Sequence, residues 1–329
     1  MTTAAEGRSS TGSGAVRASR GPRAEVSDHL PVATFEELEV ASAGRAVRCR
    51  VAILSGAECR FTCSMCDLWR HSLERPTEKG RLPKQIHSAL VGEPLPPAEW
   101  LKLYNGSNFF DARSVPDADL PVIADLCRSR QRVIVENHPR LIGDAVWRFR
   151  DRLVGSLEVA MGLETIHPTI LPRLEKRMTI DDFAAATDRL HRESIDVRAF
   201  VLLGLPWATA EESLEWCVRS VDFARSIGVR HVSIVPTRTG NGYLDRLERE
   251  GAFERPSAAL MERAFRAALG GDTPSDIPAA SVVTLDLWDW HSLAGHCDRC
   301  RDRRRSRLSA MALAQHASAA DIRTCECQP

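Results

Sequence analysis

The chain has 329 residues with 44 basic and 44 acidic side chains, so no global field directs it to nucleic acid or to an anionic membrane surface. That length can bury a large core, as one α/β domain or as a domain with an appendage. No apolar run approaches the roughly 18 residues needed to cross a bilayer. The ten cysteines stand in clusters instead of scattered pairs, a usage that points to metal in a reducing compartment.

The opening "MTTAAEGRSSTGSGAVRASRGPRAE" is rich in Gly, Ser, Ala and Arg and lacks the apolar stretch of a secretory signal. Residues 1–30 are therefore expected to form a disordered tail. A transit peptide shares the Arg/Ser bias; cytoplasm is the default location. Strands are predicted at 46–54, 100–105, 132–137, 156–162, 196–204 and 230–236, where apolar runs or alternations occur. In the first, Val47, Cys49, Val51 and Ile53 share one face. Helical patterns fall between them, at 120–130, 143–155, 180–194 and 211–228.

Strands alternating with helices imply right-handed βαβ units and a parallel sheet. Six units are too few for a closed eight-fold barrel. The expected fold is α/β, a partial (β/α)6 TIM-like barrel over residues 46–250. Residues 251–329 would be a small cysteine-bearing C-terminal extension. Within it, 270–280 reads as a linker and 281–291 offers one more strand. Function in such folds lies at the carboxyl ends of the strands, here "SGAEC", "NGSN", "ENHP", "GLET", "GLP" and "PTRTGNG".

The first of these ends leads into "AECRFTCSMCDLW", with Cys59, Cys63 and Cys66. Three thiolates on one loop suit either zinc, with His71 as the local fourth ligand, or an iron–sulfur cubane with one iron left open.

That spacing, placed just after the first strand of a βα series, resembles the radical S-adenosylmethionine (SAM) superfamily. The resemblance implies that Cys59, Cys63 and Cys66 hold a [4Fe–4S] cluster whose open iron chelates SAM. Met65 matches the apolar residue common before the last cysteine. "YNGSNFF" resembles the turn that meets the SAM amino group, through Asn105, Gly106 and Ser107, although it lacks the acidic residue of the commonest version. The remaining strand ends resemble the branch of the elongator catalytic subunit and the tRNA methylthiotransferases. "VIVENHP" would place Glu136 in the pocket. "VAMGLET" makes Glu164 a candidate for the ribose hydroxyls, since a carboxylate accepts from both oxygens of a diol. "LEKRMTIDDF" offers Arg177 to the SAM carboxylate. "FVLLGLPWATAEE" gives Gly204 and Leu205 on the adenine side, with Val235 from the sixth strand, and "TGNGYLDRLEREGAF" resembles the branch's post-barrel segment. Each also has a plain structural reading, an Asn-Gly turn or a structural glutamate.

The implied activity is reductive cleavage of SAM to a 5′-deoxyadenosyl radical that abstracts hydrogen from an unidentified substrate. A reducing partner such as flavodoxin or ferredoxin is implied with it. The rival readings are an RNA- or small-molecule-binding module and a zinc-stapled interaction protein, both without radical chemistry. In the tail, Cys297 and Cys300 with Cys325 and Cys327 form two short pairs that suit zinc or an auxiliary iron–sulfur cluster. Between them lie arginines 299, 301, 303, 304, 305 and 307, either a solvated helix face or a phosphate contact to tRNA. Asp286, Asp289 and His291 precede them and could reach substrate, whereas Trp288 and Trp290 read as packing residues.

Overall fold

The computed structural model describes residues 12–271, 281–295 and 298–317. Its strands are β1 (Ala33–Ser42), β2 (Arg45–Ile53), β3 (Trp100–Tyr104), β4 (Arg132–Glu136), β5 (Ser156–Glu164), β6 (Asp196–Leu203), β7 (His231–Pro236) and β8 (Val282–Leu285). The helices are α1 (Ser13–Ala18), α2 (Arg81–Leu90), α3 (Leu120–Leu126), α4 (Asp144–Arg150), α5 (Ile170–Arg173), α6 (Ile180–Arg192), α7 (Ala210–Ser226), α8 (Tyr243–Arg249), α9 (Ala258–Ala268) and α10 (Arg301–Ala314).

The eight strands follow chain order across one sheet. β2 to β8 are parallel, and β1 runs antiparallel to β2. No ladder joins β1 to β8 among the described residues, so the sheet is a nearly closed barrel with one open seam. Arg230 reaches across towards that seam, its Nη2 donating to the Ala41 carbonyl at 2.8 Å. The six expected strands are β2 to β7, and the segment after 280 supplies β8. β1 was not foreseen.

Alternation along each strand divides the interior in two. Val133, Val135, Leu157, Val159, Val197 and Ala199 face outward, where they join the main core beneath the helices. Val47, Cys49, Val51, Trp100, Ile134 and Ala160 face the lumen. Charged residues share that lumen. Lys102 pairs with Glu37 and Glu39, while Arg198 bridges Glu39 at 3.0 Å and Glu158 at 2.7 Å. Arg132 meets Glu158 at 2.7 Å and Asp196 at 2.6 Å. Burial pushes the Glu39 carboxyl upward, but the Arg198 and Lys102 cations outweigh it and hold the group well below the usual carboxylate range.

Helix starts follow their sequence signals. Thr179 and Thr209 close capping boxes with Asp182 and Glu212, fixing where α6 and α7 begin. Part of the expected disordered tail is placed as well. In α1, Ala15 and Val16 are buried against Tyr243, Leu244, Leu247 and Phe253.

Candidate metal and cofactor site

The thiol loop leaves β2 at the carboxyl rim of the parallel sheet and is held from several sides. Arg60 makes a two-pronged contact with Asp111, at 2.7 and 2.6 Å. The Phe61 ring stacks on His138 beyond β4, centroids 3.8 Å apart. Ser64 N–H donates to the Leu174 carbonyl at 2.9 Å, and Asn241 Nδ2 donates to the Ser64 carbonyl at 2.7 Å. The loop is thus tied to the ends of β3, β4, β5 and β7.

Burial pushes the Cys63 thiol up to about 12 and raises Cys59 and Cys66 as well, against the nearby Lys176 ammonium, which favours the thiolates of Cys59 and Cys63. Ligands of one tetrahedral zinc sit about 3.8 Å apart, from a Zn–S bond of about 2.3 Å. Among the described residues, Cys59, Cys63, Cys66 and His71 form no group of three whose ligand atoms lie within 4.8 Å of one another. His71 is exposed at the end of a short turn of helix, Leu68–His71. Glu37, Glu39 and Cys49 do lie that close, but both carboxylates are already paired, with Lys102 and, for Glu39, also with Arg198.

The turn after β3 is built on Glu136. Its Oε1 accepts from Asn105 N–H at 2.7 Å and Gly106 N–H at 2.6 Å. Burial pushes this carboxyl up to about 7, and the amides of Asn105, Gly106 and Ser107 oppose the rise. Glu136 therefore shapes the turn. The Asn105 side chain is likewise engaged, with Nδ2 donating to Ser114 at 2.9 Å. Gly106 takes φ 60°, a left-handed conformation that glycine adopts without strain.

At the end of β5 the ladder shifts register between Gly162 and Glu164. Glu164 sits at φ 65°, uncommon for a residue with a side chain. Its Oε1 accepts from Lys176 Nζ at 2.7 Å, and both residues are buried. A Cβ on Gly162 would come within 2.0 Å of Glu164 Oε1 and 2.5 Å of Lys176 Nζ, so the ion pair lies directly over that glycine. Burial alone would lower the lysine; Glu164 reverses this and holds it well above its ordinary value.

The sequence offers Arg177 to a cofactor carboxylate, and its neighbour Lys176 lies deeper in the fold. Glu175 and Arg177 both have left-handed φ, 56° and 58°, which turns the lysine between them inward. Arg177 is exposed and donates to Ser13 Oγ at 3.1 Å. Lys176 is the buried cation beside Glu164, Cys59 and Cys63.

Met65, Leu205 and Val235 do come together, in an apolar cluster with Leu174, Leu202 and Trp207. Gly204 is explained locally. It has φ 88°, a Cβ there would strike Pro256 at 2.7 Å, and its N–H donates to Ser213 Oγ at 2.7 Å. Three buried hydroxyls around this rim, on Ser64, Ser107 and Thr237, have no hydrogen-bond partner among the described residues. Such groups cost about 1–3 kcal/mol each when unsatisfied, so a polar ligand at the rim fits the residues present.

The N-terminal segment lies over the same loop. Arg17 Nε donates to Thr62 at 3.1 Å, Arg20 pairs with Glu58 at 2.7 Å, and Arg20 and Arg23 flank the Trp69 ring. Nothing in its composition signalled this; among the described residues of the segment, Ala15 and Val16 are the buried apolar side chains.

Beyond β8, Asp286 and Asp289 are both held by Arg238. In the tail, Cys300 is buried, and Cys297, Cys325 and Cys327 lie outside the described residues. Of the arginines, 304 and 307 bind Glu262 and 301 binds Asp298, while Arg299, Arg303 and Arg305 are exposed. Among the described residues no helix is long and apolar enough to cross a membrane.

No family profile and no curated protein matches this chain. Solved structures do. One is archaeal Elp3 from Methanocaldococcus infernus, at 16% identity and TM-score 0.43, covering 62% of this chain and 57% of that one. Methylornithine synthase (PylB) is similar at 12% identity and TM-score 0.49, covering 70% and 63%. Coproporphyrinogen III oxidase (HemN) from Escherichia coli, a radical SAM enzyme, is similar at 12% identity and TM-score 0.39, covering 52% and 39%. The chain thus spans less than two thirds of the length of these structures, and its functional reading rests on its own residues.

Proposed function

We propose that this chain is a radical SAM enzyme. The observation that carries the reading is the placement of Cys59, Cys63 and Cys66 on a fixed loop at the carboxyl rim of a parallel partial barrel. When bound there, a [4Fe–4S] cluster with an open iron would supply an electron to the SAM sulfonium, giving a 5′-deoxyadenosyl radical that takes hydrogen from substrate. Cys59, Cys63 and Cys66 would hold the cluster. Residues 105–107, shaped by Glu136, present a turn and the free Ser107 hydroxyl to the SAM amino acid. Lys176 takes the carboxylate-binding role that the sequence offered to Arg177. Glu164 remains the candidate for the ribose, its second oxygen being open to a diol. Met65, Leu205 and Val235 provide the apolar wall for adenine, and the N-terminal segment helps to exclude water.

Anaerobic reconstitution with iron and sulfide tests this. The protein should gain broad visible absorption and an EPR signal that changes on adding SAM, and with a chemical reductant or a reduced flavodoxin it should release 5′-deoxyadenosine. Cys59→Ala, Cys63→Ala and Cys66→Ala should each abolish that release. Stoichiometric zinc and no visible absorption would favour the zinc-stapled alternative. The thiols Cys297, Cys300, Cys325 and Cys327 are read as a second metal site, zinc or iron–sulfur, on their paired spacing alone, and metal analysis of the cysteine variants separates the two. RNA contact would fall to Arg299, Arg303 and Arg305, and tRNA binding with a steep salt dependence would test it.

A further inference from the structure

The residue following the Asn105–Ser107 turn is not used by the chemistry above. Asn108 is 3% exposed, and its Nδ2 lies 3.1 Å from Cys59 Sγ, to which it donates. Phe61 N–H adds a second donor to the same sulfur at 3.4 Å. Among the described residues, neither Cys63 nor Cys66 has a side-chain donor among its interactions.

The geometry is fixed from both sides. The Asn108 carbonyl accepts from Asp111 N–H at 3.2 Å, and the neighbouring Phe109 N–H donates to the Glu136 carbonyl at 2.9 Å. Asp111 in turn holds Arg60, the residue next to Cys59, at 2.7 and 2.6 Å. The backbone carrying the amide and the backbone carrying the sulfur are therefore clamped together one residue from the sulfur. Such a clamp leaves the amide little freedom to turn away.

We propose that Asn108 is a positioning residue that sets the electron density on the Cys59 sulfur of the bound cluster; this rests on the reading of the three cysteines as cluster ligands. An N–H donor withdraws density from a thiolate and so favours the cluster with one more electron. The step is a one-electron reduction by an external reductant, with no bond to carbon made or broken. Losing the donor shifts that equilibrium toward the oxidised form by about tenfold, equivalent to 59 mV for one electron.

The test uses the full chain reconstituted anaerobically, with Asn108→Leu removing the donor at similar volume and Asn108→Asp replacing it with a charge. Iron and sulfide content is measured first, then the midpoint by potentiometric titration followed by EPR. The expected result is full cluster content, a midpoint more negative by about 59 mV in Asn108→Leu, and a larger shift of the same sign in Asn108→Asp. An unchanged midpoint in a fully loaded Asn108→Leu protein overturns the inference and leaves the cluster reading intact. Loss of the cluster from both variants also overturns it, because Asn108 is then structural only. A wild-type chain that takes up no cluster refutes the reading of the three cysteines themselves, and the inference with it.

Discussion

Replacing Glu136 separates its two contributions, acceptance of amide hydrogens and ionisation. In Glu136→Ala the N–H groups of Asn105 and Gly106, now 2.7 and 2.6 Å from the carboxylate, lose their acceptor. At about 1–3 kcal/mol for each unsatisfied donor, the loss is about 2–6 kcal/mol. Glu136→Gln keeps a carbonyl acceptor and removes the charge. Burial raises the folded-state pKa from 4.5 to about 7, so between those values the folded chain retains a proton that the unfolded chain has released. Stability from this group is therefore greatest below pH 4.5 and falls as pH rises to about 7. At about 1.4 kcal/mol per unit, the ionisation cost reaches about 3 kcal/mol. Urea unfolding of the metal-free protein at pH 5 and pH 8 checks this. Glu136→Gln should gain on the wild type by about 2–3 kcal/mol between the two pH values, and Glu136→Ala should be less stable than Glu136→Gln at both. An Ala variant as stable as Gln, or a Gln variant with the wild-type pH profile, would refute the reasoning.

Gly162→Ala should displace the Glu164–Lys176 pair, with overpacking of about 1–3 kcal/mol; a lowered melting midpoint together with weaker SAM binding by calorimetry would register it. Lys176→Met should weaken SAM binding far more than Arg177→Met, measured the same way on reconstituted protein. Val16→Asp should lift α1 off α8 and speed tryptic cleavage at Arg17 and Arg20, followed by gel electrophoresis against time. Thr209→Ala should cost about 1 kcal/mol through the lost cap of α7, and Thr209→Ser should restore most of it in urea unfolding.

The six central strands were legible because their outward faces are apolar and their ends carry turn residues. β1 was hidden for a physical reason. Its lumen-facing positions include Glu37 and Glu39, while Leu38 on the other face is 74% exposed, so an apolar-inward pattern does not find it. At the site, the cysteines and the glycine turns could be read from spacing. The burial of Lys176 against Glu164 could not, because it depends on left-handed backbone at residues 175 and 177. Asn108 was invisible for another reason. Its partner sulfur lies 49 positions away, and contacts made only in the fold, the Arg60–Asp111 pair among them, bring the two together.

The charged lumen also bears on where this chain can be cut. A fragment beginning at residue 46, the edge suggested by strand pattern alone, would lack Glu37 and Glu39 and leave Lys102 and Arg198 short of their anions. Depriving buried cations of counter-ions costs about 3–5 kcal/mol per broken pair, a sizeable part of the total stability of an ordinary domain. Covering the edge of β2 and neutralising the interior are thus one event, carried out by the same ten-residue ribbon, and any minimal expression boundary has to lie upstream of it.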